Sequence, residues 1–307
     1  MTRAVVFAYH QVGVRCLKVL LARGVEVGLV VTHEDNPAET IWFDSVAATA
    51  REAGLAVITP ADPNTDEVLA AVRAARPDFL FSFYYRHMLK APLLAAAARG
   101  AFNLHGSLLP KYRGRVPVNW AIIRGETETG ASLHVMNVKP DNGPVVDQLA
   151  VPILPDDNAR EVFGKVTLAA EIVLWRSLPG LIEGTAVLHE QDLSQGAYFG
   201  GRKPEDGRID PRASAKAIHD FVRALSQPYP GAFADLESHR LVVWRTQRLG
   251  AGSASAAVAQ LRVESGQLLI TAADGGRLCV LEAELDGDRF DADRFTTLFG
   301  DRVITLA

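Results

Sequence analysis

Residues 79–105 have the sequence FLFSFYYRHMLKAPLLAAAARGAFNLH. Residues 79–83 form an apolar run, and residues 101–105 form a second short run after a glycine. Between them, residues 89–98 are rich in leucine and alanine, which favour helices. Two apolar strands separated by a helix are typical of a parallel β-sheet buried on both faces. This stretch therefore predicts an α/β fold.

The same alternation extends back to the amino terminus. We predict strands at residues 4–9, 25–32 and 55–58, and helices at residues 12–22, 43–53 and 65–75. Strands that alternate with helices indicate a parallel sheet with helices on both faces. In such sheets, ligands bind beyond the carboxyl ends of the strands. Candidate functional residues are therefore those near the ends of the predicted strands.

The pattern changes after about residue 130. Residues 132–138 and 145–151 predict two strands joined by the turn-rich segment KPDNGP, and residues 159–178 predict a long helix that ends at Pro179-Gly180. A polar segment follows, and beyond it we predict a helix at residues 215–225 and strands near residues 241–244, 257–263, 268–271 and 277–283. We therefore expect a first domain at residues 1–200, a linker at residues 201–211, and a small β-rich, barrel-like domain at residues 212–307.

Composition and net charge limit which kinds of partner the protein is expected to bind. The chain has 307 residues, of which 48% are hydrophobic and 22% are charged, as in ordinary globular proteins. Its formal net charge of −4 gives no electrostatic reason to expect a nucleic-acid partner. The sequence has no signal-peptide pattern and no apolar run of about 18 residues, so we expect a cytoplasmic protein without a membrane partner.

Cysteine and histidine spacing fits neither a disulfide framework nor a metal site. Cys16 and Cys279 are far apart, and each lies in an apolar periodic segment, which is typical of a buried core thiol. His10, His33 and His87 are more than twenty residues apart, which fits no short metal-ligand motif. We therefore expect no bound metal.

The segment NLHGSLLP at residues 103–110 carries the strongest chemical signal. Side chains two positions apart on a strand point to the same face, so Asn103 and His105 can converge on one atom. An amide can donate to a developing oxyanion, and an imidazole can move protons near neutral pH, as acyl transfer requires. On position alone, a buried histidine and asparagine satisfied by backbone groups is an equally good interpretation.

Two further segments could complete a site. Residues 110–117, PKYRGRVP, place three cations on a loop that could hold carboxylates or phosphates, although a solvated basic loop has the same pattern. Asp141 lies in a turn, where aspartate is common for structural reasons. Beside an imidazole, however, its carboxylate would stabilise the imidazolium and fix its orientation.

Together these segments resemble the 10-formyltetrahydrofolate-dependent formyltransferase family. The resemblance lies in the pattern Asn-x-His-x-Ser-Leu-Leu-Pro-x-x-Arg-Gly, which begins at Asn103, and in Asp141 and Gly143 downstream. It implies a Rossmann-like formyltransferase domain and a small barrel-like C-terminal domain, in agreement with the strand and helix pattern. It also implies that 10-formyltetrahydrofolate donates the formyl group.

The resemblance also assigns roles to residues. It implies that Asn103 stabilises the tetrahedral intermediate, that His105 transfers protons, and that Asp141 favours the protonated form of His105. The residues that it places against the folate are His87, Met88, Leu89, Arg115, Asn137, Val138, Lys139, Pro140 and Asp141. Residues 137–140 and 142–144 depart from the pattern of the family, and these departures concern the folate-binding loop, not the catalytic groups.

Several further segments are similar to family members that formylate UDP-4-amino-4-deoxy-L-arabinose, within a bifunctional lipid A-modifying protein of polymyxin resistance. These segments are residues 7–10, 32–37, 82–87, 125–130 and 230–233. The implied partner is a nucleotide-linked amino sugar. The alternatives are methionyl-tRNA and another UDP- or dTDP-linked amino sugar. Residues 33–39 contain three acids and no lysine or arginine, which argues against tRNA.

Two other function classes compete with this interpretation. A nicotinamide-dependent dehydrogenase shares the α/β pattern, but it binds its dinucleotide with a Gly-x-Gly-x-x-Gly motif after the first strand. Here the segment after the first predicted strand contains one glycine, Gly13, so that motif is absent. A catalytically silent binding protein of the same fold would have no need to keep Asn103, His105 and Asp141 together. The sequence therefore predicts an enzyme that transfers a formyl group.

Overall fold

The computed structural model describes residues 1–37, 39–251 and 257–307. They form two compact units. The first contains residues 1–117, 128–152 and 164–200, and the second contains residues 118–127, 153–163 and 201–307. Each unit has its own sheet and its own hydrophobic core.

A seven-stranded sheet forms the centre of the first unit. The strands of this unit are β1 (Arg3–Ala8), β2 (Glu26–Val31), β3 (Val57–Ile58), β4 (Phe79–Phe83), β5 (Ala101–His105), β6 (Arg113–Gly114), β7 (Glu128–Val135), β8 (Val145–Pro152) and β9 (Tyr198–Phe199). The sheet has the order β3-β2-β1-β4-β5-β7-β8, and β6 pairs with β9. Neighbours from β3 to β5 are parallel, whereas β7 and β8 are antiparallel additions. The expected parallel sheet is confirmed.

The middle strand, β4, shows why its sequence lacks alternation. All five of its residues are buried, because both faces of the sheet are covered. The rings of Phe81 and Phe83 stack with centroids 5.7 Å apart. Burying one such side chain stabilises the fold by roughly 1.5–3 kcal/mol.

Helices connect these strands. In the part of the chain before residue 184 they are α1 (His10–Ala22), α2 (Val46–Glu52), α3 (Asp66–Ala74), α4 (Ala91–Leu94), α5 (Pro117–Ile123) and α6 (Ala159–Glu183). The prediction of a helix at residues 89–98 was wrong in length. The amide of Ala98 donates to the carbonyl oxygen of Pro77, outside the helix, so the backbone after α4 continues in turns.

Helix α6 continues past the residue at which it was expected to end. Pro179 lies inside the helix and has no N–H to donate to the carbonyl oxygen of Trp175. Arg23 supplies the missing donor, because its Nη2 lies 2.9 Å from that oxygen and its guanidinium lies 3.6 Å above the Trp175 ring. The helix ends at Glu183, and Gly184 after it adopts the left-handed conformation at a φ of 76°.

The second unit is built on an antiparallel sheet. Its remaining elements are α7 (Ala215–Leu225), β10 (Ala232–Leu236), β11 (His239–Ala251), β12 (Gln260–Glu264), β13 (Gln267–Thr271), β14 (Gly276–Leu285), β15 (Asp288–Arg289), α8 (Ala292–Phe299) and β16 (Ile304–Thr305). The sheet has the order β10-β11-β14-β13-β12-β16. Asp235 of β10 and Ala307 exchange two backbone hydrogen bonds of 2.8 and 3.0 Å, so the sheet is nearly closed. The expected barrel-like sheet is confirmed.

The core of this unit lies between α7 and the sheet. Ile218, Val222 and Leu225, spaced at three and four residues along α7, pack with apolar residues of the strands. Strand β10 and helix α8 were absent from the sequence prediction. Among the described residues, no helix is both long enough and apolar enough to cross a membrane.

Candidate active site

Strand β5 positions the first two candidate residues at its carboxyl end. The strand pairs with β4 on one side and with β7 on the other. Leu104 is buried on one face, and Asn103 and His105 lie on the other, as the strand periodicity requires. The register sets Asn103 directly opposite His134 of β7. Two strands therefore bring three polar side chains to one region of the sheet.

Asp141 lies in the turn between β7 and β8, and its Oδ1 is the atom at which these side chains meet. Asn103 Nδ2 lies 3.4 Å from Oδ1, His105 Nδ1 lies 3.6 Å from it, and His134 Nε2 lies 3.4 Å from it. The other carboxylate oxygen, Oδ2, accepts from the backbone amide of Gly114 at 2.9 Å. The expected grouping of Asn103, His105 and Asp141 is present.

The orientation of His105 follows from a backbone contact. Its Nε2 lies 2.8 Å from the carbonyl oxygen of Tyr112, and because a carbonyl can only accept, Nε2 carries a proton that it donates. Nδ1 is then the nitrogen that faces Asp141. A proton that arrives at Nδ1 meets a carboxylate, so the site can hold the imidazolium between two acceptors.

The sequence analysis missed His134, which is almost fully buried. Its Nδ1 faces the carbonyl oxygen of Val135 at 2.9 Å, so Nδ1 carries the proton in the neutral ring. The unprotonated Nε2 then accepts from Asn103 Nδ2 at 3.1 Å, which fixes the orientation of that amide. The available signal was the alternation of Ser132 and His134, two polar side chains on one face of a strand.

These neighbours determine the charge of Asp141. Burial alone raises the pKa of this carboxyl, but it is outweighed by the positive charge that His105 and His134 carry when protonated, by the hydrogen bond that protonated His134 donates, and by the hydrogen bond from the Gly114 amide. Together they hold the pKa of Asp141 well below its usual range. The site therefore keeps a carboxylate beside two imidazoles over the whole physiological pH range.

The backbone around Asp141 leaves little freedom. Asp141 itself has a φ of 52°, in the left-handed region, and its carbonyl oxygen accepts from Gln191 Nε2 at 3.2 Å. Two residues later, a Cβ on Gly143 would overlap the carbonyl oxygen of Val135. The turn thus requires glycine at position 143, and Gln191 Nε2 holds it in place by donating to the carbonyl oxygens of both Asp141 and Gly143.

Most of the residues expected against a folate are exposed in loops, whereas the side chains of Leu89 and Asp141 are largely buried. The side chain of Leu89 is buried in the core of the first unit, so only its backbone is available to a ligand. Met88 and Val138 are large apolar side chains that are 53% and 65% exposed. Arg115, Asn137 and Lys139 are also exposed, and Pro140 is half-buried.

His87 belongs to an aromatic stack. Its ring lies 5.1 Å from that of His33, which in turn lies 4.1 Å from that of Tyr85. Burial, and after it the charge of His87, lowers the pKa of His33 to about 4, and its Nε2 accepts from the backbone amide of Arg86 at 3.1 Å. The flat face of this stack is a surface on which a planar ring can pack.

Residues 110–117, the loop expected to hold anionic groups of a ligand, also have a structural role. Arg113 Nη2 donates to the carbonyl oxygen of Gly196 at 3.2 Å, which joins the loop to the segment before β9. Arg115 Nη2 lies 3.5 Å from the carbonyl oxygen of Arg86 and remains exposed. Arg115 is therefore the better placed of these two guanidinium groups to meet a carboxylate of a ligand.

Comparison with known proteins gives matches along most of the chain. Residues 7–178 match the family model described as formyl transferase, and residues 202–299 match the model described as formyl transferase, C-terminal domain. The structure is similar to that of the N-formyltransferase from Helicobacter canadensis in complex with folinic acid and dTDP-3-aminofucose. That similarity has a TM-score of 0.70 and 18% identity over 94% of this chain and 100% of the other.

Two further structures are similar. WlaRD, a sugar 3N-formyltransferase solved in the presence of dTDP and 5-N-formyl-THF, has a TM-score of 0.70 and 18% identity over 91% of this chain and 97% of its own. Methionyl-tRNA formyltransferase from Clostridium thermocellum has a TM-score of 0.59 and 16% identity over 95% of this chain and 100% of its own. At sequence identities this low, the structural similarity shows a shared fold and nothing more.

Proposed function

The chain belongs to the formyl transferase family, and we propose that it transfers the formyl group of 10-formyltetrahydrofolate to the amino group of a nucleotide-linked amino sugar. That it is a formyltransferase follows from the family. The observation that carries the proposed chemistry is the meeting of Asn103, His105 and His134 at Asp141 Oδ1.

In the proposed mechanism, Asn103 donates to the formyl oxygen as negative charge develops on it. Its contact with Asp141, at 3.4 Å, is the longer of its two, so a substrate oxygen can replace it while His134 keeps the amide oriented. His105 takes the excess proton of the attacking amine on Nδ1, the nitrogen that is free in the neutral ring, and returns it to the folate nitrogen as the bond between that nitrogen and the formyl carbon breaks. Asp141 stabilises the resulting imidazolium and Tyr112 holds its other nitrogen.

The exposed loop residues fit a folate. Its flat, partly apolar ring system suits the exposed Met88 and Val138 and the ring face of His87, and its glutamate carboxylates suit Arg115 and Lys139. When bound, 10-formyltetrahydrofolate supplies the formyl group. We propose His87, Met88, Leu89, Arg115 and residues 137–141 as its contacts, with Leu89 acting through its backbone.

The acceptor proposal rests on the loop after β2 and on two of the similar structures. Glu34, Asp35 and Glu39 are exposed in this loop, and Glu39 forms a two-pronged ion pair with Arg86 at 2.7 Å. An acidic surface of this kind repels the negatively charged phosphate backbone of a tRNA. Two of the similar structures contain dTDP-3-aminofucose or dTDP. We propose UDP-4-amino-4-deoxy-L-arabinose as the substrate, on the sequence resemblance.

The test is a mass assay on the purified full chain with 10-formyltetrahydrofolate. UDP-4-amino-4-deoxy-L-arabinose, dTDP-linked amino sugars, the free amino sugar and methionyl-tRNA serve as acceptors. We expect the UDP-sugar to gain the mass of one formyl group, and the free sugar to react far more slowly because the nucleotide supplies binding energy. Reaction of a dTDP-sugar alone would correct the nucleotide, and reaction of methionyl-tRNA alone would overturn the proposal.

A further inference from the structure

Residues 86–90 form the loop that follows β4, and we call them the β4 loop. Three of the proposed folate contacts, residues 87–89, belong to it. Of its five residues only Leu89 is buried, with its side chain in the core of the first unit. A loop with a single buried side chain needs contacts to its backbone to keep one conformation. Asn64, from a separate part of the chain, makes such contacts.

Asn64 is itself fixed at the start of helix α3. The next residue, Thr65, caps the helix, because its Oγ1 accepts from the amide of Val68 at 3.4 Å. Asp62 Oδ1 accepts from the backbone amide of Asn64 at 2.9 Å and from its side-chain Nδ2 at 3.2 Å. The helix cap and the carboxylate together hold both the backbone and the side chain of Asn64.

The side-chain amide of Asn64 binds two backbone groups of the β4 loop. Its Nδ2 donates to the carbonyl oxygen of Met88 at 3.0 Å, and its Oδ1 accepts from the amide of Lys90 at 2.8 Å. Carbonyl and carboxylate oxygens only accept, so Nδ2 must face Met88 and Asp62, which fixes the orientation of the amide. A carbonyl and the amide two residues later are the groups that a neighbouring β-strand would bind. Asn64 therefore takes the place of one residue of such a strand.

This pairing determines the direction in which the backbone of Leu89 points. In extended backbone, the N–H and C=O groups of successive residues lie on opposite sides of the chain. Because Met88 and Lys90 face Asn64, the N–H and C=O groups of Leu89 face away from it. Within the described residues, neither group has a hydrogen-bond partner. An amide beside a carbonyl oxygen suits the edge of a pterin ring, which carries acceptors beside donors.

His33 holds the other end of the β4 loop. Its Nε2 accepts from the amide of Arg86 at 3.1 Å, and its ring stacks on that of Tyr85. The backbone of the loop is thus bound at residue 86 by one side chain and at residues 88 and 90 by another. Of the two, Asn64 is the one bonded on both sides of Leu89.

We propose that Asn64 is a positioning residue for the formyl donor. It holds the β4 loop so that the amide and the carbonyl oxygen of Leu89 pair with the pterin ring of the folate. It acts through the loop and does not itself contact the reacting atoms. This inference rests on the proposed function, because it takes a folate as the ligand of the loop. Loss of Asn64 then weakens folate binding and leaves the groups that meet at Asp141 unchanged.

The test measures binding of folinic acid, a formylated folate, to the purified full chain by isothermal titration calorimetry. Asn64→Ala should raise the dissociation constant by about 10-fold, because both hydrogen bonds to the loop are lost. In turnover assays the KM for 10-formyltetrahydrofolate should rise by a similar factor, while kcat and the KM for the acceptor stay within about 3-fold. The matched control is Asn158→Ala, which removes an asparagine that accepts from the amide of Glu161 at 3.0 Å and should leave folinic acid binding unchanged.

Hydrogen exchange on the protein without ligand, followed by NMR, tests the positioning directly. We expect the amide of Lys90 to exchange at least about 10-fold faster in Asn64→Ala, with β4 protected as in the wild type. Unchanged folinic acid binding by the folded variant, or an equal rise in the KM of both substrates, would overturn the inference alone. Absence of folinic acid binding by the wild type would overturn the folate part of the proposed function and the inference with it.

Discussion

At the scale of single residues, Asp141 combines a strained backbone with several close contacts. A non-glycine residue in the left-handed region costs on the order of 1 kcal/mol, and a buried carboxylate costs more unless it is paired. Here Gly114 and Asn103 donate to the carboxylate, two imidazoles that can become positively charged face it, and Gln191 holds the backbone. The cost is offset by contacts that also orient the groups proposed to react.

The first prediction concerns Asn103 and His105. Either Asn103→Ala or His105→Ala should lower kcat by at least about 100-fold, because each removes a group proposed to act on the reacting atoms. The control is His239→Ala, which alters a histidine paired with Asp286 on the second unit and should keep its activity. Circular dichroism and melting curves report whether each variant folds. Near-normal turnover in both folded active-site variants would show that the chemistry lies elsewhere.

The second prediction concerns the charge of Asp141. Because the pKa of Asp141 in the folded state lies below its ordinary value of 3.8, its ionised form stabilises the fold at pH values above that value. That contribution is lost as the pH falls below about 4. We expect Asp141→Asn to lower the free energy of unfolding by about 1–3 kcal/mol at pH 7. The difference from wild type should shrink in urea titrations at lower pH, and a constant difference would contradict this reasoning.

At the scale of elements, helix α6 shows how one side chain lets a helix contain proline. Proline in a helix interior usually leaves a carbonyl without its donor and often ends the helix. Arg23 donates to the exposed carbonyl of Trp175 and covers the indole ring. The sequence pattern could not predict this, because Arg23 and Trp175 lie in separate helical segments and nothing local links them.

The third prediction is a double-mutant cycle on this contact. Arg23→Ala should destabilise the chain by about 1 kcal/mol, through the lost hydrogen bond and the lost cation–π contact. In a Pro179→Ala background the same change should cost less, because the amide of residue 179 can then donate to Trp175. Urea unfolding of the four proteins measures the coupling. Equal costs of Arg23→Ala in both backgrounds would mean that Arg23 does not replace the missing donor.

At the scale of the whole molecule, local signals predicted most of the first sheet. Strands β4 and β5 have the predicted bounds, because each is a short, mostly buried run bounded by turn-forming residues. The association of Asn103 with His105 was also predictable, since both lie on one strand. His134 was not, because it reaches the site through a register between β5 and β7 that no local pattern encodes. Assignment of the folate contacts rests on the resemblance and stays a prediction.

The fourth prediction concerns the expected division at residues 201–211. Residues 118–127 and 153–163 precede this linker but pack with residues that follow it, as when Asn119 Nδ2 donates to the carbonyl oxygen of Ala224 at 2.8 Å. We expect a fragment of residues 1–200 to exchange its amides in those two segments at least about 10-fold faster than the full chain. Strand β4 should stay protected in both, and equal rates in the two segments would contradict the prediction.

The loop after β2 has a consequence for how such enzymes diversify. Residues 32–37 and 39–45 follow one strand of the sheet, whereas the groups that meet at Asp141 come from β5, β7 and the turn that follows β7. Substitutions in this loop can therefore accumulate without changing the side chains that meet at Asp141. If the proposed role of this loop in acceptor choice is right, a gene library confined to it changes which acceptors react and leaves the groups that meet at Asp141 unchanged.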